Sequence, residues 1–359
     1  MEDGIGLVRA AERVAEVDAL VARIGGRVGV AGVLDDLNRR ARVTRVPGSA
    51  AAWGFSWDPE DSRSRRWWPQ GITTSADQGS PEQVEGRRVV VTSAYSHDVG
   101  GAHKGSRVTF VDITDPLRVR YRHVLLVEPW VRDDGRVDVR PVQVHAGGIV
   151  WHGPYLHVAG TARGLCTFRL EDIVRLPTAG DRNRLGLRAD GGLDGFGYRY
   201  LLPVRFTYDA YADDRAERLR YSFLSLDRST SPPYLVAGEY GRGEATTRLA
   251  NYPVDPATSL LLTDPGGASR PSSLDPGGVP GMQGAVVVDG EYYVTTSNGR
   301  FGKGSMWVGR PGALRPFERV LPAGCEDIAY WPSADQLWSL TEYPCRRYVF
   351  AMDRSTFGD

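Results

Sequence analysis

His145-Ala146-Gly147-Gly148-Ile149-Val150, closely followed by Tyr155-Leu156-His157-Val158-Ala159, reads as a strand, a tight hairpin and a second strand. The same phrase recurs. Pro69-Gln70-Gly71-Ile72-Thr73, a weaker Arg220-Tyr221-Ser222-Phe223-Leu224, Met282-Gln283-Gly284-Ala285-Val286-Val287 and Cys325-Glu326-Asp327-Ile328-Ala329-Tyr330 each precede a hairpin and a run rich in Val, Tyr and Leu. A third strand often follows, as in Val108-Thr109-Phe110-Val111-Asp112 and Tyr348-Val349-Phe350-Ala351-Met352. Repetition of this unit at intervals of roughly 40 to 75 residues is the pattern of a β-propeller, in which the first strand of every blade lines a central channel. The sequence therefore predicts an all-β propeller of five blades, or six if 118–142 or 196–212 forms a further blade.

The expected blades run over about 67–128, 143–205, 218–262, 281–320 and 324–359, so the propeller occupies 67–359. Residues 1–45 read differently. Ile5, Val8, Ala11, Ala15, Leu20 and Ile24 roughly follow helical spacing, Gly25-Gly26 stops the pattern, and 30–42 suits a second short helix. This predicts a helical arm covering a propeller face or closing the ring, or alternatively a dimerisation helix. Between arm and propeller, 46–66 forms an aromatic connection with Trp53, Phe55 and Trp57, leading to Trp67 and Trp68. The Gly-, Pro- and Ser-rich stretch 264–280 reads as a linker, and 181–197 as an outer loop.

Composition narrows the function classes. The chain has 359 residues, 44 basic and 44 acidic, and a formal net charge of zero. Neutrality gives no general electrostatic drive toward nucleic acid or an anionic membrane, although it leaves room for a local basic patch. Only Lys104 and Lys303 are lysines; the other cations are arginines. No run approaches the roughly 20 apolar residues of a membrane span. The start, Met1-Glu2-Asp3-Gly4, lacks the basic and apolar regions of a signal peptide, so the expected location is cytoplasmic, or secreted if a signal has been removed. The expected partner is a small-molecule ligand, with neither nucleic acid nor membrane; the oligomeric state is left open. Cys166, Cys325 and Cys345 are an odd set, but a hairpin turning near Pro332–Asp335 would place Cys325 opposite Cys345, within disulfide reach; two reduced thiols are the other reading.

No nucleophile elbow, Walker loop, zinc-protease helix or dinucleotide fingerprint occurs. The chemistry-bearing residues are instead those the repeat brings to the channel: Gln70, His145, Gln283, Glu326 and Asp327. An imidazole and two carboxylates converging with amides suit acid–base work, with His145 as base, Glu326 as acid or as the group orienting His145, and Asp327 in support. They equally suit a polar plug filling a narrow channel. No cofactor is expected, though such a set could also hold Ca²⁺. A second ring follows the second strand of each blade: Arg163, Glu239-Tyr240 with Arg242, Arg300, and Glu342-Tyr343. Its arginines would hold an anionic group, together with Gln70, Gln283, Glu239, Tyr240 and Tyr343 as substrate contacts, or would serve blade-to-blade packing. His97 and His103 lie on an insertion able to lid the same mouth, whereas His152 and His157 read as surface residues and His123 as packing.

The phrases Trp68-Pro69-Gln70-Gly71-Ile72-Thr73, His145-Ala146-Gly147-Gly148-Ile149, Tyr155-Leu156-His157-Val158-Ala159 and Glu326-Asp327-Ile328 resemble a group of actinobacterial propeller-like proteins, often secreted and without an assigned activity. The resemblance covers roughly 65–359. It implies the fold and a bacterial source and carries over no catalytic residue. A member without an export signal would suit specialised small-molecule metabolism. The expected function is a cofactor-independent, non-redox hydrolase, lyase or cyclase acting on a small polar or anionic metabolite in the central funnel. The alternative is a non-catalytic propeller that binds a carbohydrate or protein partner through exposed Trp53, Trp57, Trp67 and Trp68.

Overall fold

In a computed structural model that describes residues 4–214 and 216–358, five blades, each built on at least four strands, surround one axis. The innermost strands are Trp67–Thr74, Ile149–His152, Phe223–Asp227, Met282–Val288 and Cys325–Trp331. Each pairs antiparallel with the next strand in the chain through the expected hairpin. The inward-facing valines, leucines and aromatics of adjacent blades pack between the sheets, as the alternation of strand residues requires.

The recurrent glycine has a steric cause. Five inner strands crowd the axis, and neighbouring backbones come too close for a side chain. A Cβ on Gly148 would lie 2.0 Å from the Leu224 nitrogen, one on Gly147 2.1 Å from the Ser222 oxygen, and one on Gly284 2.7 Å from the Asp327 Cα. Hydroxyls on inner and second strands then bond across the gap. Ser93 donates to the Ala146 carbonyl (2.7 Å), Ser225 to the Ala285 carbonyl (2.5 Å) and Thr295 to the Glu326 carbonyl (2.7 Å).

Two features differ from the sequence reading. First, Trp53–Ser56 is not a connection but the fourth strand of the fifth blade, paired with Tyr348–Asp353 on one side and with the short strand Arg42–Val43 on the other. The first blade follows it directly, so a strand from early in the chain closes the ring against a blade from its end. Phe55 is fully buried there, and Trp57 packs edge-on against Phe55 and Tyr121. Secondly, the arm is not wholly helical. Ile5–Arg9 is a strand that pairs with the long strand Tyr200–Ala212 of blade 2. Helical spacing was misleading because Ile5 and Leu7 alternate into the core at period 2. The first helix begins only at Val14 and buries Val17, Leu20 and Val21; it ends at Gly25, whose left-handed backbone donates to the Val21 carbonyl. The second helix is shorter than expected, Gly29–Leu34, and gives way to a strand pair at Arg39–Arg40. The start of the expected arm, Met1–Asp3, lies outside the described residues.

Smaller corrections follow from the same geometry. The segment 181–197 contains a short hairpin, Leu185–Leu187 with Leu193–Gly195, and 264–280 contains the strands Ala268–Ser269 and Ser273–Asp275. All three cysteines are free thiols. A bulge after Cys325 pairs it with Thr341 rather than Cys345, and its thiol donates to the Thr296 carbonyl. His157 is not on the surface but 2 % exposed and bonded to Thr167; burial holds its pKa down to about 3. His152 is half-buried beside the Asp77 carbonyl.

Candidate functional site

The ring brings Gln70, Gln283 and Glu326 to one mouth of the channel, because each stands at the start of an inner strand that enters from the same face. Gln283 Nε2 donates to Glu326 Oε1 (3.2 Å). Gln70 Nε2 donates to the Pro69 carbonyl (2.8 Å) and to Glu342 Oε2 (3.1 Å). The mouth therefore holds a second carboxyl that the inner-strand pattern does not contain. Glu342 follows the second strand of blade 5, where the hairpin returns to the same face, and it also accepts from the Tyr343 hydroxyl. Its recoverable signal was the repeated Glu-Tyr pair, Glu239-Tyr240 and Glu342-Tyr343.

The two glutamates differ in surroundings. Glu326 is 4 % exposed, and burial, the nearby charge of Glu342 and that of Asp327 raise its pKa well above the usual carboxylate range. Glu342 is half-buried; burial raises its pKa too, but the Tyr343 and Gln70 donors and the Arg347 guanidinium pull it back. Two like charges that cannot both ionise cheaply behave as a coupled acid–base pair. Glu342, better solvated and better supplied with donors, is the readier of the two to ionise.

Aromatic rings wall the mouth. Tyr95 lies 4.4 Å from the His145 ring, and its hydroxyl meets His97 Nε2 at 2.8 Å. Trp68 stacks on His97 at 4.5 Å and meets Tyr343 edge-on. Burial and the two glutamates push Tyr95 up to about 12. Tyr240, half-buried, feels both glutamates as well.

The remaining expected site residues separate into those near this pair and those elsewhere. His145 is exposed at the rim, beside the Tyr95 ring, and among the described residues no hydrogen bond joins it to Glu326. It stands on the wall of the mouth, without the hydrogen bond to Glu326 that an orienting role would need. Asp327 is fully buried below the mouth, accepting from the backbone nitrogen of Ile72 (3.1 Å) and from those of Ile149 and Ile328. It ties blade 5 to blades 1 and 2 and does not reach the opening. Glu239 is also fully buried, clasped by Arg248 Nη2 (2.9 Å) and by the backbone nitrogen of Arg220 (3.0 Å), which makes it a structural anchor. The arginine ring does not converge. Arg163, Arg242 and Arg300 are exposed; Arg242 covers the Tyr240 ring and Arg300 the Phe301 ring. The arginine nearest Glu342 is Arg347, 1 % exposed, donating to the Glu342 and Asp61 carbonyls; burial lowers its pKa to about 10.

Trp57 and Trp67 are buried and Trp53 packs on Trp338 inside blade 5, so these residues form no outer aromatic patch. Among the described residues no group of three or more His, Cys, Asp or Glu is placed to hold a metal ion.

No family model and no curated protein matches the chain. Among solved structures, it is similar to a gluconolactonase from Xanthomonas campestris (13 % identity, 92 % of this chain and 87 % of that one, TM-score 0.35). It is also similar to a β-xylosidase/α-arabinofuranosidase from a compost metagenome (8 %, 87 % and 94 %, TM-score 0.36) and to a β-propeller domain from Myceliophteria thermophila (10 %, 81 % and 97 %, TM-score 0.35). At this level the likenesses assign no residue a role. Fold and site define a five-bladed propeller whose acidic, aromatic-walled mouth carries one glutamate buried at an inner strand and one half-buried beside it.

Proposed function

We propose that the mouth is a hydrolytic acid–base site for a small, neutral, hydroxyl-rich molecule. The observation that supports this most directly is the pair Glu326 and Glu342, held from opposite sides by Gln283 and Gln70 at the channel opening. Glu326, protonated in its buried setting, donates to the departing oxygen as the carbon–oxygen bond breaks. Glu342, ionised, takes a proton from the water whose oxygen forms the new bond. The donors on Gln70 and Gln283 and the hydroxyls of Tyr95 and Tyr240 orient the substrate, and the rings of Trp68 and Tyr343 pack on its apolar face.

An anionic substrate, the other half of the expected polar or anionic class, fits less well. The groups closest to the opening are two carboxyls, and the arginines meant to hold an anion are spread over the rim. The reading is tested by turnover of uncharged lactones and aryl glycosides by the wild type and by Glu326→Gln and Glu342→Gln. Either substitution is expected to lower kcat by about 10²- to 10⁴-fold. Full activity in both variants would remove the pair from the chemistry.

A further inference from the structure

A second cavity, bordered by charged side chains, lies away from the mouth. It lies on the flank of blades 1 and 2, under the 181–197 hairpin, with a volume of about 540 Å³. Its charge is lopsided. The carboxylates on its wall, Glu60 and Asp61, are already engaged: Arg39 pairs with both, and Arg107 Nη2 lies 2.9 Å from Asp61. Arg122 is engaged by Asp36 at 3.1 Å. Arg66, Lys104, Arg182 and Arg199 also line the cavity, and among the described residues none of these four has a carboxylate within ion-pair distance. Arg66 and Lys104 donate only to backbone carbonyls, of Ala102 and Val99 and of Arg182 respectively. Burial, then Arg66 and Arg182, lowers the Lys104 pKa even though Asp181 is near, which is the mark of cations crowded without enough counter-charge.

The floor is built rather than accidental. Asp61 accepts from His123 Nε2 (2.8 Å) and from the Tyr121 hydroxyl (2.8 Å). Burial, then Arg107, lowers His123 to about 4, so it is neutral at ordinary pH. Arg107 is 6 % exposed and stacks on Trp67 at 4.6 Å, yet its Nε finds no acceptor among the described residues. A buried guanidinium nitrogen without an acceptor is costly unless something else supplies one. Trp67, Tyr198 and Phe196 give the cavity an apolar side.

We infer that this flank cavity is a binding site for a phosphomonoester, with its dianionic head among Arg66, Lys104, Arg182 and Arg199 and its body against Trp67, Tyr198 and Phe196. The four cations supply charge-assisted donors that match phosphate oxygens, and their mutual repulsion is relieved when the dianion enters. The site is separate from the glutamate pair at the mouth and does not depend on the reading of that pair.

Calorimetric titration of the full chain with phenyl phosphate, inorganic phosphate and phenol tests this. Phenyl phosphate is expected to bind in the millimolar range or tighter, inorganic phosphate more weakly, and phenol not measurably. Lys104→Met should weaken phenyl phosphate about tenfold and Lys104→Met/Arg182→Gln about a hundredfold, one to two charge-assisted contacts being lost. Glu326→Gln at the mouth and Arg118→Gln on an exposed loop should leave the affinity unchanged. Two results overturn the assignment: no saturable binding of phenyl phosphate at low ionic strength, or binding that the double variant retains at wild-type affinity. Loss of binding in Arg118→Gln as well would identify non-specific attraction to surface arginines and would equally overturn it.

Discussion

Glu326 combines two properties that pull in opposite directions. Its burial prepares a proton for donation, and the same burial costs stability once the proton leaves. The folded-state pKa lies above the unfolded value, so the folded chain binds more protons over the interval between them. Stability at this position is fully present below the unfolded pKa and is lost as pH rises through the folded one. Glu326→Gln removes that loss and keeps an acceptor for Gln283. The variant is expected to lose activity while melting a few degrees higher than wild type at pH 7.5, with the gain shrinking toward pH 4.5; calorimetric melting at the two pH values checks this. A melting temperature that falls at pH 7.5 would mean that Glu326 is ionised and well paired. His145→Ala provides the contrast. A rim imidazole packed against Tyr95 and not bonded to Glu326 is expected to contribute to binding and not to proton transfer, so KM should rise severalfold while kcat stays within about threefold of wild type. A collapse of kcat by two orders of magnitude would restore it as the base.

At the scale of strands, the ring stands or falls on two devices. One is the close approach of inner strands at glycine. Gly148 has a negative φ, so an alanine there meets no backbone strain; its obstacle is the Leu224 nitrogen, a backbone atom that cannot swing away. Gly148→Ala should therefore destabilise by about 3 kcal/mol or more, beyond the ordinary range of overpacking, measured by urea unfolding. The other device is closure of blade 5 by Trp53–Ser56. Phe55→Ala empties a fully buried site in that strand and should cost about 3–5 kcal/mol. The repeated strands were legible because period-2 alternation and hairpin residues are local signals. The closing strand was not: Trp53-Gly54-Phe55-Ser56 is too short to announce a strand, and its partner lies almost 300 residues away at Tyr348–Ala351. Ile5–Arg9 was missed for a related reason, since a five-residue run satisfies a helical and a strand pattern about equally well.

Across the molecule, carboxyls with raised pKa values are set along the channel: Glu326 and Glu342 at the mouth, Asp327 below them, and Asp77 near the opposite end, where burial raises it to about 6. Each favours folding at lower pH. Against them stands Asp61; burial alone would raise its pKa, but His123 and Arg107 hold it well below the usual range, so its stabilisation is present above the unfolded pKa and is lost only as the acid pH falls through the depressed value. These raised carboxyls shift the stability maximum toward the acid side of neutrality. Asp77→Asn should flatten the decline between about pH 4 and 6, seen as a smaller loss of melting temperature across that interval. An unchanged slope would show that Asp77 is not titrating there. The sequence by itself determined the repeating unit and the arrival of Gln70, Gln283 and Glu326 at one opening, because each follows from alternation and turn chemistry within a few residues; it left five blades or six. Only the tertiary structure decided that Glu342 joins Gln70 at the mouth, that Asp327 and Glu239 are anchors, and that Asp61 sits beneath a cluster of cations. Those outcomes depend on how blades distant in the chain meet, on which side chains find donors there, and on how far each is removed from water.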